Sequence, residues 1–172
     1  GFSHEAQISM LSAETVLGNL DRERYNCTQV NILPKGWHAI VDDIEYRIDL
    51  NDFSFTTPEG KTTFDCAFIA IHGTPGEDGK LQSYFELIGM PFTTSDSLSS
   101  GMSFSKWTTN HILRASKVPC AQSVVLRDGE AVHVDEILEV TGLPCFVKAN
   151  NGGSSFGMTK VKQREQLVDA ID

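Results

Sequence analysis

Apolar positions along the chain change period several times, and each change marks an element. Between Glu5 and Leu20, Ile8, Leu11, Val16, Leu17 and Leu20 recur at helical spacing behind Ser3, a possible N-cap, which predicts a helix. "NCTQVNIL" at 26–33 is β-rich and stops at Pro34, and "WHAIVDDIEYRIDL" predicts two short strands about an Asp-Asp turn. "NDFSFTTPEGKTT" is polar and aperiodic, which predicts a surface loop. "FDCAFIAI" at 64–71 is a continuous apolar run, as expected of a strand buried on both faces of a parallel sheet. After the polar loop "HGTPGEDG", Leu81, Phe85 and Ile88 predict a helix that Gly89 can cap.

The short strand "MPFT" follows, and then the serine-rich "TTSDSLSSGMSFS" lowers the hydrophobicity and marks a domain junction near residue 95. Beyond it the pattern predicts a helix over 105–115, a strand "AQSVVL", an Asp-Gly turn and a helix around 134–141. The strands "CFVKA" and "MTKVK" then enclose a long glycine-serine hairpin tip, and a last helix packs Leu167, Val168 and Ile171. The order predicts an α/β protein: a doubly wound parallel-sheet domain over 1–94, then a partial α+β domain over 95–172. The opening glycine turn into a helix is a phrase that normally follows a strand. An upstream strand is therefore expected, and the chain is expected to be part of a longer protein.

With 172 residues, 40% of them hydrophobic, the chain can bury one medium core or one and a half small ones. A net charge of −9 argues against a nucleic-acid binder, whose affinity rests on clustered Lys and Arg. The longest apolar stretch, 66–71, is far short of the roughly 20 residues that span a bilayer, and no signal peptide opens the chain. Cys27, Cys66, Cys120 and Cys145 form no CxxC pair, which predicts buried free thiols in a reducing cytoplasm. The five histidines show no metal-ligand spacing, so no zinc is expected.

Three segments carry candidate chemistry. His72 follows an apolar strand directly and should face the crevice at the strand's carboxyl end, where imidazole can orient or bind a carboxylate. Glu77 and Asp78 precede a helix and have two readings, partners of its dipole or functional acids. Glu5, after the glycine opening, is likewise either a dipole partner or a ligand for a substrate ammonium. "VKANNGGSSFGMTKV" combines glycines, serines and the strand lysine Lys148, a composition suited to a flap over nucleotide phosphates. It is neither a Walker A loop nor a GxGxxG turn, and a plain glycine-rich turn with a snorkelling edge lysine remains the alternative. Lys106, early in a helix, reads locally as a solvated residue.

Taken together, "HGTPGEDGKLQSYFELIGMPF" and "LPCFVKANNGGSSFGMTKV", with "SHEAQIS" upstream and "SFSKWTTNHILRASKVP" between, resemble the D-alanine:D-alanine ligases of the ATP-grasp superfamily along essentially the whole chain. The resemblance implies an enzyme that joins two D-alanines through a D-alanyl phosphate, using ATP and Mg²⁺, for peptidoglycan synthesis in the cytoplasm. It makes 1–94 the amino-terminal substrate-binding domain and 95–172 part of the central ATP-grasp domain.

By that resemblance Glu5 holds the ammonium of the first D-alanine, and His72 lies near the substrate carboxyl region, helped by Glu77. Lys106 and Lys148 contact ATP phosphates, Ser154 hydrogen-bonds with Glu5, and Ser155 and Gly157 belong to the phosphate flap. A D-lactate or D-serine acceptor, or a non-catalytic binding module, are the rival readings. Ala149 stands where proline usually follows the strand lysine, Ser83 replaces a usual glycine, and Phe104 and Ser105 replace methionine and aspartate. The magnesium ligands, an arginine for the intermediate, the adenine hinge and the acceptor lid are expected outside these residues, so this chain alone is expected to be inactive. A homodimer is implied for the intact protein, with no nucleic-acid or membrane partner.

Overall fold

The computed structural model describes residues 1–153 and 157–171, and the chain divides into two compact units, Gly1–Gly101 and Met102–Asp172. The first opens with α1 (Ala6–Asn19), followed by β1 (Gln29–Leu33), β2 (Gly36–Val41) and β3 (Ile44–Arg47). These pair antiparallel in the order β1-β2-β3, with Leu33 opposite Gly36 and Val41 opposite Ile44. Asp42 and Asp43 take φ of 50° and 63°, the left-handed pair that a two-residue hairpin turn of matching twist requires. The Asp-Asp turn between two strands is therefore as the sequence predicts.

The segment expected to be a polar surface loop instead folds as a hairpin, β4 (Phe55–Thr57) and β5 (Gly60–Thr62), and it carries the centre of the core. Phe53 and Phe55 are buried with Ile32, Ala39, Ile48, Leu81 and Phe85, and the Phe53 ring meets Phe85 edge-on at 4.9 Å. Two aromatic residues inside a polar stretch thus outweigh its average composition, because each removes a large apolar area from water. Helix α2 (Lys80–Ile88) lays Leu81 and Phe85 on this core and ends at Gly89, with φ of 70°.

The apolar run 64–71 is not buried on both faces. It pairs in parallel with the following segment, through Ala67 N–H to Pro91 O at 2.8 Å and Thr93 N–H to Ala67 O at 3.1 Å. Phe64, Ala67, Ile69 and Ile71 pack against the core while Phe68 and Cys66 are exposed. Among the described residues this single bridge is the parallel pairing; the named strands are all antiparallel. The mixed α/β class expected from the sequence holds, with hairpins supplying most of the strand.

The serine-rich stretch expected to be a junction contains α3 (Ser97–Phe104), and the division between the two units falls within it. Asp96 caps α3, accepting from Ser99 N at 2.7 Å, and the Glu86 carboxylate accepts from both N and Oγ of Ser97. In the second unit come α4 (Lys106–Ala115), α5 (Val134–Thr141), the antiparallel pair β6 (Cys145–Val147) and β7 (Thr159–Val161), and α6 (Gln166–Ile171). Ile137, Val161 and Leu167 form its core, and Val168, expected to pack, is largely exposed. "AQSVVL" is no strand: the Arg114 guanidinium, not a neighbouring strand, takes Ala121 O and Ser123 Oγ. The cysteines are free but none is buried, and Cys66 is exposed. Among the described residues no helix is long and apolar enough to cross a membrane.

Candidate functional site

In the first unit three candidate residues converge where α1 begins. Glu5 occupies the N-cap position of α1 and is 8% exposed, but its side chain makes no cap to the helix. Ser3, expected to cap, does two things: its hydroxyl accepts from Glu5 N at 3.1 Å, two residues on as a cap does, and donates to His72 O at 2.9 Å. Gly73 is the reason the loop can come so close. At φ of 69° it follows His72 with no side chain, and a Cβ there would stand 3.1 Å from Glu5 Oε2 and 2.6 Å from Ser3 Oγ.

His72 is held on several sides. Its backbone N–H donates to Ser9 Oγ at 2.9 Å, Ser12 Oγ lies 2.8 Å from its Nε2, and its Nδ1 faces Glu77 Oε1 at 3.9 Å. Glu77 does not cap α2, the simpler of its two readings. Its Oε2 accepts from Gly73 N at 2.7 Å, closing the loop on itself and keeping a carboxylate beside the imidazole. Asp78 ties the same loop to α2, accepting from Thr74 Oγ1 and from Lys80 Nζ at 2.6 Å. Burial pushes the Asp78 carboxyl up, but these hydrogen bonds outweigh it and leave the group below its ordinary value. Gln82, fully buried, donates to Gly76 O at 2.6 Å and Thr94 Oγ1 at 3.0 Å and so fixes the far side of the loop. Sequence reading missed Ser9, Ser12 and Gln82. Ser9 and Ser12 had a signal, since they share one α1 face with Glu5 at i, i+4 and i+7.

In the second unit Lys106 is anything but a loosely solvated residue. It is the first residue of α4, and its Nζ donates to Gly152 O at 2.7 Å, within the glycine-serine hairpin tip. Asn150 organises this junction. Its backbone O accepts from Lys106 N, its Oδ1 from Trp107 N at 2.9 Å, and its Nδ2 donates to Ser105 Oγ at 3.1 Å. Ser105, which replaces an aspartate of the resemblance, still caps α4 by accepting from Thr108 N. Lys148 is exposed at the end of β6, with its Nζ 5.6 Å from the centroid of the Phe146 ring, and Lys160 Nζ sits 5.7 Å from the same ring. Gly152 and Gly157 have φ of 142° and 65°, and among the described residues nothing stands within 4 Å of a Cβ added at either. Ser154 and Ser155 lie outside the described residues. Among the described residues no three His, Cys, Asp or Glu gather as a metal site.

These features define an α/β protein in which Glu5 and Glu77 both border the loop that carries His72 in one unit and, in the other, a glycine hairpin carries Lys148 directly after β6 and Lys160 on β7. The model of the D-ala D-ala ligase N-terminus matches residues 1–95 and that of the D-ala D-ala ligase C-terminus matches residues 112–172; the chain belongs to the D-ala D-ala ligase family. The D-alanine–D-alanine ligase of Flavobacterium johnsoniae is 44% identical over 100% of this chain and 54% of its own length. That of Bacteroides fragilis is 42% identical over 99% of this chain and 53% of its own length. The crystal structure of D-alanyl-alanine synthetase A from Vibrio cholerae superposes with a TM-score of 0.85 at 29% identity, covering 99% of this chain and 52% of that one. The VanG D-Ala:D-Ser ligase from Enterococcus faecalis gives 0.80 at 26%, covering 98% and 55%. The chain spans about half the length of the relatives it matches.

Proposed function

We propose that this chain supplies the first-substrate and phosphate-contacting residues of an ATP-dependent ligase that makes D-alanyl-D-alanine for peptidoglycan. The observation that carries the reading is the cluster at the start of α1, where buried Glu5 stands beside Gly73 and His72 is clasped between Ser12 and Glu77. A buried carboxylate and an imidazole bordering the same loop suit an amino acid, whose ammonium and carboxylate need opposite partners. Glu5 binds the ammonium of the first D-alanine, and His72 with Glu77 borders its carboxyl group.

A carboxylate oxygen of the first D-alanine attacks the γ-phosphorus of ATP, and the bond to the β-phosphate oxygen breaks to release ADP. The amine of the second D-alanine then attacks the resulting acyl phosphate, loses a proton and expels inorganic phosphate. Lys106 and Lys148 supply positive charge to the phosphates, with Ser154, Ser155 and Gly157 forming the flap; phosphoryl transfer depends on such fixed charge more than on covalent participation. Lys106, already anchored at Gly152, and the open glycines fit a phosphate-bearing substrate. Magnesium, when bound, would neutralise phosphate charge; among the described residues no group of three His, Cys, Asp or Glu gathers to hold it. We further assign the intact protein to the cytoplasm, as a homodimer that binds neither nucleic acid nor membrane.

The test is mass spectrometry of products when the full-length gene product meets ATP, magnesium and an equimolar mixture of D-alanine, D-lactate and D-serine. D-alanyl-D-alanine as the main product supports the proposal. D-alanyl-D-serine would favour the specificity printed for the VanG neighbour. No ligation by folded, ATP-binding protein would make this a binding module.

A further inference from the structure

Helix α1 carries three hydroxyls that behave differently. Ser9 donates to Glu5 O at 3.1 Å and Thr15 to Leu11 O at 2.9 Å, each to the carbonyl four residues back, as helical hydroxyls commonly do. Ser12, on the same face as Glu5 and Ser9, directs its Oγ to His72 Nε2 at 2.8 Å instead. The other ring nitrogen, Nδ1, faces the Glu77 carboxylate at 3.9 Å, and that carboxylate is fixed by Gly73 N–H. A carboxylate on the Nδ1 side favours the proton there, so in the neutral ring Nε2 is the acceptor and Ser12 the donor.

We infer that Ser12 is a positioning residue: its hydroxyl holds neutral His72 in the Nδ1–H tautomer and so presents an N–H donor on the Glu77 side, toward the D-alanine carboxylate. The backbone that carries the ring is fixed separately, because Ser9 and Ser3 hold the His72 peptide at N and O. Ser12 acts on the ring itself and sets which edge of the imidazole donates. The substrate half of this inference rests on the ligase reading; the tautomer half does not.

Long-range ¹H–¹⁵N correlation on the ¹⁵N-histidine-labelled full-length protein reads the tautomer directly, with His72→Gln assigning the signal by its loss. Wild type is expected to show a protonated Nδ1 and an unprotonated Nε2 at a pH where the ring is neutral. Ser12→Ala is expected to shift the ring toward the Nε2–H form that free imidazole prefers. It should also raise the D-alanine KM about five- to tenfold, the loss of one hydrogen bond, with the ATP KM unchanged. Ser12→Thr should restore both. A wild-type Nε2–H tautomer, or a tautomer unmoved by Ser12→Ala, overturns the inference, and the wild-type spectrum decides even if the alanine variant fails to fold. If wild type ligates nothing, the ligase reading falls while the spectrum still judges the Ser12–His72 pair.

Discussion

Replacing Gly73 by alanine tests how the start of α1 is built. Alanine at φ of 69° costs about 1–2 kcal/mol in the left-handed region. Its Cβ would stand 2.6 Å from Ser3 Oγ and 2.8 Å from Ser3 Cβ, so Ser3 must move. Moving it breaks the bonds to His72 O and from Glu5 N, about 1 kcal/mol each. The expected loss is about 3–4 kcal/mol. Gly89→Ala is the control, with φ of 70° and nothing within 4 Å of the added carbon, so only the conformational cost applies there, about 1–2 kcal/mol. In urea unfolding of this 172-residue chain followed by tryptophan fluorescence, a Trp107→Phe background leaves Trp37 to report on the first unit. The Gly73 variant should unfold roughly 1 M urea earlier than the Gly89 variant, since a typical slope is about 2 kcal/mol per molar. Equal midpoints would show that Ser3 is not wedged against Gly73, and the account of how Glu5 and His72 are held would fail with it.

Lys148→Ala should weaken ATP binding at least about tenfold by calorimetry through loss of a charge-assisted phosphate contact, and unchanged affinity would remove Lys148 from the site. Asn150→Ala should lower stability by about 1–2 kcal/mol and raise the ATP KM, because Trp107 N and Ser105 Oγ lose a partner and the anchor of Lys106 loosens; Asn150→Asp should retain the Trp107 bond and part of the effect. Asp78 has a depressed folded-state pKa, so its contribution is present above the ordinary value of 3.8 and is lost as pH falls through the folded value. Acid unfolding of Asp78→Asn should therefore fall less steeply than wild type below about pH 4, and identical acid limbs would refute the assignment.

Much of this protein was legible in the order of its residues. The period of α1, the Asp-Asp hairpin and α2 with its glycine stop each depend on neighbours a few positions apart, and local chemistry sufficed to place them. His72, Glu5 and Glu77 were legible as candidates because ionisable groups next to apolar runs need a reason to be there. Lys106 was not: its bond to Gly152 joins residues 46 apart, and no local pattern encodes that. The polar stretch around Phe53 was misread for a related reason, and the helix inside the serine-rich junction was not foreseen, since average polarity cannot show which side chains meet a core or which carboxylate, here Glu86, waits to receive the serine N–H. The apolar run 64–71 erred in the other direction, because burial depends on what packs against each face and not on the run itself. The sequence alone determined which groups could do chemistry. Only the tertiary structure decided how they are aimed: Ser3, Ser9 and Ser12 gain their roles from a histidine some sixty positions away, and hydrogen-bond direction exists only once the chain has brought both partners together.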